Sequence, residues 1–408
     1  MSSPSLGLGL VGCGAFGAYV LDSVAGLPGL HIAAVADADP QRAQPLGDQY
    51  AAAVRDGLDA VLATDRVDIV ALATPPGTHA AMATAALRAG KHVFCEKPLA
   101  TTAEDALRVR DEAVRSPGVL VVDHVLRYNP LLRAVQRLIE EGLLDAPRRF
   151  LFENDAADQD LGPGHWFWDP AHSGGIFVEH GVHFFDAARA LLGSEPESVR
   201  ATAVRRPDGP IDMVIADAVH PGGVLATHLH SFTHAHRCER QLMRLDHGFA
   251  ETRISGWIPT RATITAWTDE SGAAHWERLS SRSGDLLNVP GFLPHGDEVI
   301  AVTVHRNAGD DQPARGRGVE RVVPHRVEAV IDLGGEERKP YVYAQSVRAA
   351  FADLLRSAAD GSAPVADAYA GLTAVAVAEA ATRAADTGTE QQVTPVRRPT
   401  GPRAGSTA

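Results

Sequence analysis

The sequence predicts an α/β protein of two domains, the first of which is built around a parallel sheet. Strand-like and helix-like segments alternate over roughly the first 125 residues, and a glycine-rich turn joins the first strand to the first helix. A chain of 408 residues also exceeds what one hydrophobic core usually holds, so a second domain is expected. Alternation of this kind is typical of parallel sheets covered by helices.

The first elements follow from short apolar runs and the breaks between them. Residues 8–11 form an apolar run typical of a buried strand, and residues 15–24 have helical character. The segment "GLPG" then breaks the chain before a second apolar strand at residues 30–37. The order strand, turn, helix, turn, strand is the beginning of a parallel sheet.

Gly12, Gly14 and Gly17 form the pattern G-x-G-x-x-G where the first strand meets the first helix. The first glycine permits a sharp turn, the second lets a pyrophosphate approach the backbone, and the third lets the helix pack closely on the strand. The helix N-terminus then faces the phosphates. The pattern predicts a dinucleotide site that includes Ala15 and Phe16, although in a chain with 38 glycines the spacing can also arise by chance.

Asp37 lies 37 − 17 = 20 positions after Gly17, at the end of the second strand. A carboxylate at this place hydrogen-bonds the adenosine ribose diol, and it would repel a 2′-phosphate. The next arginine is delayed to Arg42. The sequence therefore favours NAD over NADP as cofactor; the alternative is that Asp37 merely caps a strand end in water.

The alternation continues through three further strands. Residues 67–73 and 119–122 form apolar runs, and the segment "KHVFCEKP" between them is a further strand. A helix after the first run ends at Gly90, and Thr101 with Glu104 predicts a capping box. Ligands of such sheets bind beyond the carboxyl ends of the strands. We expect one rim there to hold the cofactor, formed by Gly12, Asp37, Thr74, Pro75, His79, Glu96, Lys97 and His124.

At Glu96-Lys97-Pro98 a specific resemblance emerges: the chain resembles the Gfo/Idh/MocA oxidoreductases, the family of glucose–fructose oxidoreductase and the inositol dehydrogenases. The segments "ATPPGTHAAMATAALRAGKHVFCEKPLA", "RYNPLLRAVQRLIEEGLL" and "SGGIFVEHGVHFFDAARALLG" carry the resemblance, together with the C-terminal segment that begins "YAQSVRAAFADLL". The resemblance implies a Rossmann NAD-binding domain and an α+β domain with an open, mostly antiparallel sheet. It also implies the catalytic residues Lys97, His183 and Glu179, the last at a position where the family has Asp.

The segment 173–186 is apolar but carries two carboxylates and two imidazoles. At 100° per residue, Glu179, His183 and Asp186 fall within roughly 60° of one helix, with His180 on its flank. The apolar residues on the other side are expected to anchor the helix in a core. The pattern indicates either a reaction surface or the polar stripe of an ordinary surface helix.

These residue types fit the oxidation of a secondary alcohol. His183, with an ordinary pKa near 6.5, is suited to take the hydroxyl proton. The Lys97 ammonium would stabilise the developing alkoxide, and Glu179 would orient His183 or Lys97. We expect substrate contacts from His180 and His230, while Arg127, Tyr128, Trp166 and Trp168 serve either substrate binding or ordinary packing.

Four histidines lie at even positions between 228 and 236 in "THLHSFTHAHRCERQ". In a strand they would share one face, and His-x-His spacing can chelate zinc. The competing interpretation is a sheet face that lines the substrate site or a subunit interface. Because nicotinamide chemistry needs no metal, we predict no metal site.

Composition limits the partners and the location. The net charge of −13 argues against nucleic acid and anionic membranes as partners. The first twelve residues lack the pattern of a signal peptide, and Cys13, Cys95 and Cys238 lie far apart in sequence, as in a reducing compartment. We therefore expect a cytoplasmic protein with a small-molecule substrate.

The expected organisation has four parts. Residues 1–127 form the NAD-binding domain, 128–340 the α+β domain, 341–390 helices that pack back on the first domain, and 391–408 a disordered tail. Residues 305–326 are polar and predict a long loop. The open sheet is expected to mediate a homodimer or homotetramer.

The predicted function is NAD-dependent hydride transfer to or from a secondary alcohol carbon of a sugar, glycoside, cyclitol or related polyol. Two alternatives remain open from the sequence. One is an NAD-assisted glycosidase or lyase that acts through transient oxidation. The other is a non-catalytic nucleotide-sensing regulator, against which the presence of Lys97 and His183 argues.

Overall fold

The computed structural model describes residues 5–162, 164–207, 209–307, 309, 312–316 and 318–396. The first domain contains a six-stranded sheet in the order β3-β2-β1-β4-β5-β6, in which all adjacent strands are parallel. Its elements are β1 (Leu6–Val11), α1 (Ala15–Val24), β2 (Leu30–Ala36), α2 (Pro40–Tyr50), β3 (Ala53–Arg55), α3 (Leu58–Leu62), β4 (Ile69–Leu72), α4 (His79–Arg88), β5 (His92–Cys95), α5 (Ala103–Arg115) and β6 (Leu120–Val122).

The predicted parallel sheet is confirmed, with small changes at the ends of its elements. The cap of α5 is one residue later than predicted: Thr102 accepts a hydrogen bond from the Asp105 amide, in place of a box formed by Thr101 and Glu104. Strand β1 lies at the centre of the sheet, and Leu8 and Leu10 are fully buried. Burial of both faces explains why its sequence is continuously apolar.

The second domain contains a ten-stranded, mostly antiparallel sheet, as expected. Its order is β14-β17-β13-β12-β11-β7-β10-β9-β8-β18, and the pair β7–β10 is parallel. Its elements up to residue 332 are α6 (Pro130–Glu140), β7 (Arg149–Asp155), α7 (Pro170–Ser173), α8 (Val182–Leu192), β8 (Ser198–Arg205), β9 (Ile211–His220), β10 (Val224–Ser231), β11 (Arg240–Asp246), β12 (Ala250–Ser255), β13 (Arg261–Thr268), α9 (Glu270–Glu277), α10 (Ser283–Leu286), β14 (Val299–His305), β15 (Ala314–Gly316), β16 (Val319–Arg321) and β17 (His325–Asp332).

The C-terminal segment consists of α11 (Lys339–Asp360), α12 (Ala368–Thr387) and β18 (Gln391–Gln392). Helix α11 packs on α1 and β5 of the first domain, where Phe351 stacks on Phe94 with ring centroids 4.2 Å apart. Helix α12 packs on α5 of the first domain and also on α8 and β8 of the second. The two long helices therefore join the domains.

Two segments differ from the expectations for loops and tail. Residues 305–326 include two short antiparallel strands, β15 and β16, in place of a continuous loop, and Arg321 of β16 pairs with Asp145 at 2.9 Å. In the predicted tail, β18 pairs with β8 and Val393 is buried, so residues 391–396 are ordered against the second domain. Residues 397–408 lie outside the described residues. The domain limits stay a prediction.

The four histidines between 228 and 236 do not share a strand face. Strand β10 ends at Ser231, so His228 and His230 are buried under α8 while His234 and His236 lie in the following loop. The prediction of one common face is wrong because it assumed a longer strand. Among the described residues, no group of three or more histidine, cysteine or acidic side chains could hold a metal ion.

A buried ion pair joins the end of the first domain to α8. Arg127 donates to both oxygens of Asp186, at 2.5 and 2.8 Å, and the Asp186 side chain is fully buried. The next residue, Tyr128, donates to Asp353 of α11 at 2.9 Å. Arg127 and Tyr128 thus connect three elements, so the structure favours interdomain packing over substrate contact for both.

Asp186→Asn should destabilise the fold by about 3–5 kcal/mol, because it leaves the buried Arg127 guanidinium without its counter-charge. Although burial alone would raise it, the nearby Arg127 and His124 charges lower the pKa of Asp186 to about 2. The stabilisation of the native protein is therefore present above the ordinary Asp pKa of about 3.9 and is lost as the pH falls toward 2.

Chemical unfolding at pH 7 and at pH 3 measures this effect. The difference between the wild type and Asp186→Asn should be largest at pH 7 and should shrink in acid. Asp65→Asn is the matched control, because Asp65 is exposed and lies outside these contacts. An unchanged free energy of unfolding for Asp186→Asn at pH 7 would contradict the structural role of the pair.

Candidate active site

A cavity of about 690 Å³ opens between the strand ends of the first sheet and the inner face of the second. From the first domain it is lined by residues of three loops that follow β1, β4 and β5: Gly14, Ala15, Phe16, Ala73, Thr74, Pro75, Pro76, Glu96 and Lys97. From the rest of the chain it is lined by Asn154, Ala156, Trp166, Glu179, His180, His183, Glu239, Gln241, Trp257, Lys339 and Tyr343. The cavity therefore belongs to both domains.

The glycine turn has the geometry that a pyrophosphate needs. Gly12 has φ +100°, and a Cβ there would lie 2.3 Å from the Ala73 carbonyl oxygen. A Cβ on Gly17 would meet the Gly12 carbonyl oxygen at 1.9 Å, so α1 can approach β1 this closely only through glycine. Gly14, by contrast, has open space where a Cβ would be, and no side chain caps the start of α1. The N-terminus of α1 is therefore open to an anion.

Asp37 follows β2 at the same edge of the sheet. One of its carboxylate oxygens accepts the Cys13 amide at 2.7 Å, and the other accepts the Asp39 amide at 2.9 Å. Each carboxylate oxygen can accept a further hydrogen bond. These contacts hold the carboxylate beside the glycine turn, where a ribose diol would be bound. The turn and Asp37 together fit an NAD molecule.

His79 has a different position from the one predicted. It is buried outside the cavity, and its two ring nitrogens lie 2.7 Å from the carbonyl oxygens of Thr74 and Pro98. Burial lowers the pKa of His79, and a neutral ring donates to only one of these oxygens at a time. His79 therefore joins the loops after β4 and β5 and does not contact the cavity.

Lys97 and Glu179 form the central ion pair of the cavity. The Lys97 ammonium donates to the Glu179 carboxylate at 2.7 Å and to the Glu179 backbone carbonyl at 2.9 Å. Burial alone would lower the pKa of Lys97, but the charges of Glu179 and Glu96 outweigh burial and raise it. Lys97 is therefore a permanent cation at the end of β5.

Beneath Lys97 lies a pair of buried acids that the sequence did not reveal. The Glu96 carboxyl accepts the Lys97 amide at 2.9 Å, and it is hydrogen-bonded to Asp123. Burial and the neighbouring Asp123 raise the pKa of Glu96 well above its ordinary value, and burial raises that of Asp123 to about 6. The two carboxyl groups therefore share a proton near neutral pH.

The helix that carries Glu179 is not a regular α-helix. Gly174 and Gly175, both with positive φ, turn the chain into a π-helical turn at Phe177–Gly181, which continues as α8. The 100° periodicity thus fails at this turn, and Asp186 lies in the Arg127 pair instead of on the cavity surface. The apolar side of the segment is buried as expected, at Phe177, Val178, Val182, Phe184 and Phe185.

Two histidines of this segment line the cavity. The Nδ1 atom of His183 and the Nε2 atom of His180 are buried without a hydrogen-bond partner in the part of the chain that the structure describes. Burial and the Lys97 charge lower the pKa of His183 well below its ordinary value and that of His180 to about 3. Both rings are therefore neutral at pH 7, and each has a buried ring nitrogen available for a hydrogen bond.

Of the other residues predicted to contact the substrate, Trp166 lines the cavity, whereas Trp168 and His230 do not. Trp166 lines the cavity and is 42% exposed, whereas the Trp168 indole donates to the Leu161 carbonyl outside it. His230 is fully buried between aromatic rings beneath His180, with the two ring centroids 5.2 Å apart. It supports the cavity wall without lining it, because α8 covers this part of β10.

Several lining residues were not predicted from the sequence, namely Asn154, Ala156, Glu239, Gln241, Trp257, Lys339 and Tyr343. Asn154 and Gln241 are cross-strand partners on β7 and β11. Their strands are distant in sequence, so the pairing had no local signal. For Lys339 the sequence did hold a signal, its rarity, since lysine occurs at only three positions of the chain.

The comparisons with known proteins agree with this architecture. Residues 6–124 match a family model described as oxidoreductase family, NAD-binding Rossmann fold, and residues 132–248 match the C-terminal domain model of the same Gfo/Idh/MocA family. Together the two models match more than half of the chain. The N-terminal domain is thus an NAD-binding Rossmann domain.

Individual relatives show the same relationship. The chain is 35% identical over 210 residues to inositol 2-dehydrogenase of Rhizobium meliloti (strain 1021), a match that covers 52% of this chain and 61% of the relative. The chain thus spans about three-fifths of the length of that curated relative.

Two solved structures share the fold over nearly the whole chain. A putative myo-inositol dehydrogenase from Sinorhizobium meliloti 1021 has a TM-score of 0.67 at 24% identity, over 96% of this chain and 100% of that one. Levoglucosan dehydrogenase, solved with NADH and levoglucosan, has a TM-score of 0.72 at 18% identity, over 95% and 99%. With both family models matched in order along one chain, the protein belongs to the Gfo/Idh/MocA family of oxidoreductases.

Proposed function

We propose that the protein is an NAD-dependent dehydrogenase or reductase that acts on a secondary alcohol carbon of a sugar, cyclitol or related polyol. One observation carries the proposal: a permanent ammonium, Lys97, and a neutral imidazole, His183, line the same cavity as the open glycine turn. The inositol 2-dehydrogenase relatives support the substrate class.

Gly14 and the N-terminus of α1 would hold the pyrophosphate of NAD, Asp37 the adenosine ribose, and Glu96 with Thr74 the part nearest the cavity. When bound, NAD supplies a nicotinamide ring that accepts or returns a hydride. The loops that carry Thr74 and Lys97 are held together by His79. The residues present at these positions therefore fit NAD as the cofactor.

The side chains divide the proton chemistry between them. His183 has a buried ring nitrogen without a partner among the described residues and would accept the proton of the substrate hydroxyl. Burial and the nearby Lys97 charge lower its pKa well below the ordinary value, so in this structure it is a weaker base than the near-6.5 imidazole that the sequence predicted. Lys97, held charged by Glu179 and Glu96, would donate a hydrogen bond to the developing alkoxide. Glu179 contacts the ammonium and so positions Lys97, which makes it a positioning residue for this step.

The two alternative functions that the sequence left open require different features of the site. A nucleotide sensor has no use for the neutral His183 beside a buried ammonium. A glycosidase that acts through transient oxidation would use the same groups but release an aglycone without accumulating NADH. Assays with glycosides that report both products distinguish this reaction from net oxidation.

We also propose a cytoplasmic homodimer or homotetramer. Cys13 and Cys95 are buried free thiols and Cys238 is an exposed one, as in a reducing compartment. No helix in the described part of the chain is long and apolar enough to span a membrane. The outer face of the second sheet exposes apolar side chains on three adjacent strands, namely Val204, Ile215, Val219 and Leu225.

Leu225→Arg should weaken self-association, since it places a charge within this apolar face, beside the cross-strand partner Val219. Sedimentation velocity should show a lower association state than for the wild type. Val365→Arg, at an equally exposed apolar residue away from this sheet, is the control. A wild-type monomer would refute the proposed assembly.

Lys97→Met should lower kcat with the preferred polyol by at least about a hundredfold, because the alkoxide loses its charged hydrogen-bond donor. NADH binding, followed by fluorescence titration, should persist. Lys91→Met is the control, since the Lys91 ammonium donates to the Val67 carbonyl away from the cavity. Full turnover by Lys97→Met would refute the mechanism.

Asp37→Asn should shift the cofactor preference toward NADP by about tenfold or more. The change removes the negative charge that repels a 2′-phosphate but retains an oxygen that can accept the Cys13 amide. The ratio of the dissociation constants of NADH and NADPH measures the effect. An unchanged ratio would show that Asp37 only shapes the turn.

A further inference from the structure

Lys339 is a cation at the cavity that the proposed chemistry does not use. The chain contains 38 basic residues, and lysine occurs only at positions 91, 97 and 339. Two of these three lysines line the cavity. The ammonium of Lys97 is paired with Glu179, whereas Lys339 forms no ion pair within 4.0 Å among the described residues.

The position of Lys339 is fixed by its surroundings. It is the first residue of the 22-residue helix α11, and its ammonium lies 5.4 Å from the centroid of the Trp257 ring. The start of α11 is held against α1, where the Tyr19 hydroxyl donates to the Pro340 carbonyl at 3.2 Å and the rings of Tyr19 and Tyr343 lie 5.0 Å apart. Trp257 and the fixed helix end thus hold the charge at the cavity.

At this position the Lys339 ammonium loses part of its hydration. Burial lowers its pKa, and the charges of Glu239 and Glu336 oppose the effect only in part. The positive end of the α11 dipole adds to the ammonium charge. A half-buried cation of this kind is stabilised when an anion binds beside it.

A second polar group faces the same cavity without a partner. The Asn154 side chain is 2% exposed, and its Nδ2 donor has no hydrogen-bond partner in the described chain. Asn154 pairs across the sheet with Gln241, whose carbonyl accepts the Gly256 amide next to Trp257. These contacts connect Asn154 through Gln241 and Gly256 to Trp257, the residue whose ring lies beside the Lys339 ammonium. A buried donor left unpaired is costly, so a ligand with acceptor oxygens is the natural partner.

We propose that this end of the cavity binds a carboxylate, and that the substrate is a polyol acid of the aldonate or uronate class. The inference rests on the proposed function for the position of the reacting carbon. Lys339 binds the carboxylate, and Asn154 donates to an oxygen of the same molecule. An uncharged sugar would leave Lys339 desolvated and unpaired.

Glu239, the acidic side chain of the cavity wall that lies near Lys339, does not favour an amine as the ligand. Glu239 is exposed, and one of its oxygens accepts the Ala157 amide at 2.7 Å. Its charge is therefore solvated and partly satisfied. Lys339 is the group that gains most from a counter-charge, which selects an acidic substrate over an amino sugar.

Calorimetric titration of the protein–NADH complex tests the inference with D-gluconate and its uncharged counterpart D-glucose. The wild type should bind D-gluconate about tenfold to a hundredfold more tightly, the range expected for a charged hydrogen bond. Lys339→Met should abolish this difference, and Lys339→Arg should restore part of it. Arg338→Met is the matched control, because Arg338 pairs with Asp297 outside the cavity.

Other outcomes overturn the inference. Equal or tighter binding of D-glucose, or no binding of D-gluconate or D-glucuronate, rules out the carboxylate site. If Lys339→Met weakens NADH binding and leaves D-gluconate binding unchanged, the lysine binds a cofactor phosphate. The proposed function is tested separately: Lys339-dependent binding of D-gluconate without any NAD-dependent turnover would sustain the site and refute the dehydrogenase.

Discussion

The geometry of the site depends on the ion pair between Lys97 and Glu179. Lys97 follows strand β5 of the first domain, and Glu179 belongs to a π-helical turn of the second. Their contacts, at 2.7 Å through the carboxylate and 2.9 Å through the backbone carbonyl, fix the ammonium against two independent groups. Because each partner is largely buried, removal of either one would leave an uncompensated charge in the cavity.

The same ion pair helps to keep neighbouring side chains in different charge states. The Lys97 ammonium contributes to lowering the pKa of His180 and His183, while the carboxylates around it keep Lys97 itself protonated. A cation and neutral imidazoles thereby coexist in one cavity near neutral pH. Pairs of groups whose environments push their pKa values apart are typical of sites that move protons. The arrangement follows from burial and proximity.

The sequence was most informative where structure is determined locally. The glycine turn and Asp37 have a fixed spacing because one strand, one turn and one helix position them, and the fold places them as expected. Prediction failed where the role of a residue depends on a contact with a residue far away in the sequence. Arg127 could not be assigned to Asp186, nor Asp123 to Glu96, from positions far apart in the chain. The regular helical periodicity assumed for residues 179–186 also failed, since a π turn changes the angle between successive side chains.

The division of the cavity between two domains has a consequence for specificity. The groups expected to hold the cofactor follow strands of the first sheet, and their spacing is constrained by that sheet. The other side of the cavity is lined by Asn154 and Gln241 of the second sheet and by Lys339 at the start of α11. These positions lie on elements other than those that carry the glycine turn and Lys97, so they can differ without disturbing either. Under the proposed function, Lys339 would take part in the selection of the substrate, whereas Lys97 would stabilise the developing alkoxide and His183 would accept the proton.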